Sequence, residues 1–156
     1  MVISASYTDK GGNNIKALTG SNAVSLRSNT LTFNGTETNK GFGTYKLNNT
    51  TIMILPAAGG WLATDNIDLT GVHSINIICG WQDPPKKGLG FEVRLDSPEG
   101  TLLGSGAMGA GKKGQQFGPI HVPFKTAGDG KLHHVYIIYK PQETILGGIT
   151  SVQFNP

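Results

Sequence analysis

Polar and apolar residues alternate in AVSLRS, TLTFN and TYKL, each bounded by Gly, Asn or Ser. A period of two turns one side of an extended chain toward a core and the other toward water, which is the pattern of a half-buried strand. IMIL, SINIIC, FEVRL, IHVPF, HHVYIIY and VQF continue the series, rich in Ile, Val and aromatic residues. Loops such as QDPPKKG, DSPEG and TAGDG separate them, with the Pro, Gly and Asp that turns favour. Nowhere do apolar residues recur at helical spacing over three turns. Residues 101–114 come nearest, yet they carry Gly104, Gly106, Gly109, Gly111 and Gly114, each costing a helix about 1 kcal/mol relative to Ala. About nine short strands with no substantial helix predict an all-β domain, a sandwich or a barrel.

The first 28 residues differ from the rest. YTDKGGNNIKALTG is polar and rich in Gly and Asn, so residues 1–28 are expected to form a linker or an edge segment, leaving 29–156 as the β-sandwich domain.

Composition agrees with one domain of many turns: 156 residues, 23 of them Gly and 8 Pro, with only 15% charged. A chain of this length buries roughly two-thirds of its unfolded surface and needs no staple. The net charge of +3 comes from scattered lysines such as Lys86, Lys87, Lys112 and Lys113. No basic stretch reaches the density that phosphate-backbone binding needs, so nucleic acid is not an expected partner. The single cysteine, Cys79, excludes an intrachain disulfide and lies in an apolar run, where an inert core thiol is expected. No apolar stretch approaches the ~18 residues of a membrane span, and MVISASY lacks the basic start and apolar core of a signal peptide.

Motifs with catalytic associations fail on context. Gly104, Gly106 and Gly109 spell G-x-G-x-x-G, but more glycine and the strand-like QFGPIHVPF follow instead of the helix that a dinucleotide needs. A phosphate loop from Gly106 would place Lys113 where a Ser or Thr must reach magnesium. His73, His121, His133 and His134 lack helical metal spacing, no serine stands in a G-x-S-x-G elbow, and the acidic residues are scattered. No catalytic residue, metal ligand set or cofactor is therefore expected. Aromatic side chains offer more, because a sugar ring stacks on an exposed aromatic face while neighbouring amides and carboxylates bond its hydroxyls. Trp81 opens the polar loop WQDPPKKG beside Gln82 and Asp83, with Tyr45 and Phe42 as further platforms. Trp61 begins an alternating strand and is expected to plug a core or edge.

The strings GGWLATDNIDLTGVHSINI, FEVRLDSPEGTLLGS, DGKLHHVYIIYK and ITSVQF fall in an order that resembles the carbohydrate-binding modules of family six, over residues 59–154. The most specific piece runs from Arg94 to Gly104. The opening ASYTDKGGNNIKALTGSNAVSLRS resembles the segment that introduces such modules in bacterial multidomain sugar dehydrogenases of the glucose/sorbosone type. The resemblance implies a noncatalytic β-sandwich jelly roll in an exported bacterial protein, extracellular or periplasmic. Its implied partners are a poly- or oligosaccharide and a neighbouring catalytic domain. It also exposes departures. Where the family commonly has a sugar-stacking Trp, this chain has Gln115 or Gln116 with Phe117 adjacent; a frequent Asn corresponds to Gly148, and an Asp to Thr150. Family members tend to hold a structural calcium with acids on the first sandwich strand, but none occurs between Asp9 and Glu37. A sugar site, with Phe117 among its platforms, must then be built differently, or the domain is a structural or protein-interaction sandwich that has lost the pocket.

Overall fold

A computed structural model describes residues 2–14, 16–25, 28–125 and 128–156. Its strands are β1 (Val2–Thr8), β2 (Thr19–Ser25), β3 (Thr30–Thr32), β4 (Asn39–Lys40), β5 (Gly43–Leu47), β6 (Thr50–Ile54), β7 (Gly60–Asp68), β8 (Ser74–Trp81), β9 (Leu89–Leu95), β10 (Leu102–Met108), β11 (Phe117–Pro123), β12 (Leu132–Lys140) and β13 (Gly147–Asn155). A five-stranded sheet runs β10-β9-β12-β7-β4, and a larger one runs β11-β8-β13-β6-β5, with β3 also paired to β13. The fold is an all-β sandwich.

Alternation builds the space between the sheets. Along β8, Ile75, Ile77 and Cys79 are buried, and β11 and β13 add Ile120, Val122, Ile149 and Val152. From the other sheet come Leu89, Phe91 and Val93 of β9, with Val135, Ile137 and Tyr139 of β12. These side chains share one contiguous core. Burial pushes the Cys79 thiol's pKa up, so it stays protonated and inert. In β13 a bulge falls between Ile149 and Ser151, and the Thr150 hydroxyl donates to the Ile78 carbonyl at 3.1 Å.

Thirteen strands replace the nine expected, and the additions are those whose sequences carry weak alternation. β4 is two residues long, β1 is rich in Ser and Thr, and β10 contains Gly104 and Gly106, while β7 is the strand that Trp61 was expected to begin. At β10 the glycines have a packing use. A side chain on either would strike the β11 backbone, at the carbonyls of Pro123 and His121 respectively, so their absence lets two sheet edges meet. Among the described residues β1 and β2 pair only with each other, in a sheet of their own. Of the expected strand AVSLRS, Ala23–Ser25 lie in β2, while residues 26–27 are outside the described residues, as are 126–127 in the TAGDG loop.

Candidate functional site

Trp81 is not the exposed platform its loop position suggested. It is the last residue of β8, and the alternation that buries Ile77 and Cys79 turns it inward too, leaving it 6% exposed. Its indole N–H donates to the Gln115 carbonyl at 2.6 Å, and Gly118 lies under the ring, where a Cβ would come within 3.1 Å of Cη2. Phe42 is corrected likewise: it is 8% exposed and belongs to the core cluster, entering it just before β5. Both rings fill volume, so neither offers a face to a ligand.

The other four expected residues are accessible, and three of them meet at one rim. There β8 ends while β11 and β13 begin. The Trp81 N–H donates to the Gln116 carbonyl at 2.9 Å, and the Gln82 N–H to the Leu146 carbonyl at 2.9 Å. These bonds gather Gln82, Asp83, Gln116, Phe117 and Leu146, all exposed. Phe117 is 69% and Leu146 72% exposed, high for apolar side chains on neighbouring segments. Sequence reasoning passed over Leu146 because ETILGG reads as an ordinary loop.

From this rim a row of paired residues crosses the outer face of the larger sheet. Phe117 is opposite Gly80, Gly80 opposite Gly148, Gly148 opposite Ile54, and Ile54 opposite Gly43. Gly80 has room for a methyl group, since an added Cβ would make ordinary contacts with the Gln116 carbonyl at 3.7 Å and Thr150 Cγ2 at 3.8 Å. Gly148 differs: a Cβ there would lie 2.5 Å from Ile52 Cγ2 and 2.7 Å from the Met53 carbonyl. An Asn at this position has no room, so Ile52 occupies the space that a polar ligand contact would need. Tyr45, opposite Ile52 on the edge strand β5, is 55% exposed. Four strand spacings, about 19 Å, separate that edge from Phe117.

The loop bearing Gln115 is tightly ordered. Its N–H donates to the Lys112 carbonyl at 2.9 Å, its Oε1 accepts the Lys112 N–H at 3.0 Å, and its Nε2 donates to the Phe117 carbonyl at 3.1 Å. Gln115 therefore holds the turn that carries Phe117 outward rather than presenting its amide to a ligand.

Polar chemistry also concentrates at the opposite end of the sandwich. His133, its side chain 11% exposed, bridges Asp96 and Asp129, with Nδ1 3.0 Å from Asp96 Oδ2 and Nε2 2.9 Å from Asp129 Oδ1. The Asp129 and Asp96 hydrogen bonds raise its pKa above the usual imidazole value. His134 Nδ1 meets Asp65 Oδ1 at 2.6 Å. An open cleft of ≈ 650 Å³ lies nearby, lined by Asn29, Thr30, Asp65, Asp68 and Leu132 among others. Its one aromatic lining residue, Phe154, is buried. On the outer face of the five-stranded sheet, Trp61 is half-buried and meets Tyr136 edge to face at 5.3 Å. Among the described residues no three His, Cys, Asp or Glu side chains form a group that could hold a metal ion, and no helix is long and apolar enough to cross a membrane.

No protein-family model matches the sequence, and no curated protein does. Solved structures do resemble the fold. A family 6 carbohydrate-binding module from Clostridium cellulolyticum, in complex with xylose, aligns with a TM-score of 0.63 over 76% of this chain and 89% of that one, at 20% identity. A β-1,3-glucan binding family 6 module from Bacillus halodurans gives 0.63 over 83% and 96%, at 18% identity. A glycoside hydrolase family 43 arabinoxylan arabinofuranohydrolase from Bacillus subtilis, in complex with cellotetraose, gives 0.59 over 75% of this chain at 23% identity, and this chain spans only 25% of that enzyme's length. At such identities the likeness establishes architecture: the chain has the β-sandwich fold of family 6 carbohydrate-binding modules.

Proposed function

We propose that this domain is a noncatalytic carbohydrate-binding module whose site is the rim around Phe117. Phe117 supplies the stacking face, Gln82, Gln116 and Asp83 bond sugar hydroxyls, and a longer glycan continues across the sheet past Gly80 toward Tyr45. One observation carries the proposal: a strongly exposed aromatic ring stands opposite Gly80 and beside exposed amide side chains, on a fold shared with sugar-complexed modules. As such a module it serves an exported parent protein, holding a neighbouring catalytic domain on its polysaccharide.

Affinity electrophoresis and calorimetry on xylan, cello-oligosaccharides and β-1,3-glucan test this. Removing the Phe117 ring weakens binding at least about tenfold, since burying a Phe side chain contributes about 1.5–3 kcal/mol. If no polysaccharide binds, or Phe117→Ala binds as the parent does, the proposed site is wrong.

A second reading, docking to a neighbouring domain or subunit, is favoured by the β1–β2 hairpin. Among the described residues it shares no ladder with the sandwich, and it exposes Tyr7 and Leu18. A two-stranded hairpin alone is marginal in water, so a partner surface would stabilise it. Size exclusion of the chain with and without residues 1–25 separates the two readings.

A further inference from the structure

Two lysine pairs that are distant in sequence stand on abutting loops at the Phe117 rim. Lys86 and Lys87 belong to the β8–β9 loop, and Lys112 and Lys113 to the β10–β11 loop. The Gly111 N–H donates to the Pro85 carbonyl at 2.7 Å. A Cβ on Gly111 would fall 2.9 Å from Pro84 Cβ and 3.0 Å from Pro85 Cδ, so the second loop lies directly against the first. All four lysines are exposed, and among the described residues none forms an ion pair. Two other lysines are paired with carboxylates: Lys140 Nζ reaches Glu92 Oε1 at 3.5 Å and Lys131 Nζ reaches Asp129 Oδ2 at 3.7 Å. Two carboxylates share the patch, Asp83 in the first loop and Glu143, whose Oε1 accepts the Lys87 backbone N–H at 2.5 Å. The patch keeps an excess of positive charge beside a stacking ring, since the turn from Lys112 is bonded through Gln115 to Phe117.

Resting on the carbohydrate-binding proposal, we propose that the ligand of this rim is an anionic polysaccharide, carrying carboxylate or sulfate groups along its chain. Phe117 stacks on a sugar ring while the two lysine pairs draw in the charge of flanking units. Lysine suits this use, because a strongly hydrated ammonium on a flexible stem attracts anions without demanding one fixed geometry. Binding of this kind is weak per contact and salt-sensitive.

The test runs the intact chain against polygalacturonate, a sulfated galactan, neutral xylan and a single-stranded oligonucleotide, at low and high ionic strength. One or both charged polysaccharides are held at least about fivefold more tightly than xylan at low salt, and the advantage disappears at high salt. Comparing the two identifies carboxylate or sulfate as the recognised group. Lys86→Gln/Lys87→Gln and Lys112→Gln/Lys113→Gln each weaken that binding about fivefold and leave xylan unaffected. Xylan held as well as the charged chains, without salt dependence, overturns the anionic assignment while sparing the carbohydrate-binding proposal. An oligonucleotide held as tightly, through the same lysines, also overturns it, by revealing an unselective polyanion surface. Retention of no glycan at all removes both.

Discussion

The Trp81 indole and the Gln115 carbonyl, joined at 2.6 Å, tie the end of a core strand to the loop that aims Phe117 outward. Core packing and the candidate site are thereby coupled. Trp81→Ala removes a nearly buried ring and is expected to cost about 3–5 kcal/mol, read as a lower denaturant midpoint. Trp81→Phe keeps most of the volume but loses the hydrogen bond, at about 1–3 kcal/mol for the carbonyl left without its partner. The Phe variant folds, yet binds glycan more weakly because the loop is no longer braced.

Gly80 and Gly148 are direct neighbours across paired strands with opposite tolerances. Gly80→Ala makes only ordinary contacts and should leave stability within about 0.5 kcal/mol, while its methyl group raises the surface beside Phe117 and weakens glycan binding. Gly148→Ala forces a methyl group against Ile52 and the Met53 carbonyl and should cost about 1–3 kcal/mol. Paired calorimetric unfolding and binding measurements distinguish the two; equal stability losses would contradict the contrast.

His133 makes stability depend on pH in a definite direction. Its folded pKa is raised, by the Asp129 hydrogen bond first and then by Asp96. Its contribution is therefore complete below the unfolded value of 6.5 and is lost as pH rises through the folded value. On the acid side, the His133 hydrogen bond lowers the pKa of Asp129, with the Lys131 N–H assisting. Burial pushes that of Asp96 up, but the hydrogen bonds from His133 and the His134 N–H outweigh it, and the value ends lowered. Those contributions hold above the unfolded value of 3.8 and fade as pH falls through the folded ones. The cluster thus stabilises most between about pH 4 and pH 6.5. Thermal midpoints should decline from pH 6 to pH 8, and His133→Gln should flatten that decline.

Among the described residues the β1–β2 hairpin shares no ladder with the sandwich. Removing residues 1–25 should leave the thermal midpoint of the remainder within about 2 °C. A fall of 8 °C or more would mean that the hairpin contributes to the stability of the sandwich.

The architecture was legible because Ile, Val and aromatic residues alternate wherever a strand has one dry face, as in SINIIC and HHVYIIY. The site was less so. Trp81 and Phe117 both adjoin polar loops in sequence, yet one is buried and the other exposed, because strand parity at the terminal residue decides the direction and composition does not reveal it. Tyr45 could be placed by alternation, whereas Phe42, just outside its strand, could not. The lysine pairs looked scattered because their proximity depends on Gly111 meeting Pro85, a contact between loops that no local pattern records. Gln115 stands where a family resemblance suggested a ligand-binding ring, but it serves as a brace.

The Gly104 and Gly106 contacts with β11 have a further consequence. Unpaired sheet edges invite strands from other molecules, and here two of the four outer edges press against each other, backbone to backbone. That flank is effectively welded shut. Within the sandwich, intermolecular strand addition, whether useful or leading to aggregation, is left to the β4 and β5 side, and solubility engineering should concentrate there and on the edges of the β1–β2 hairpin.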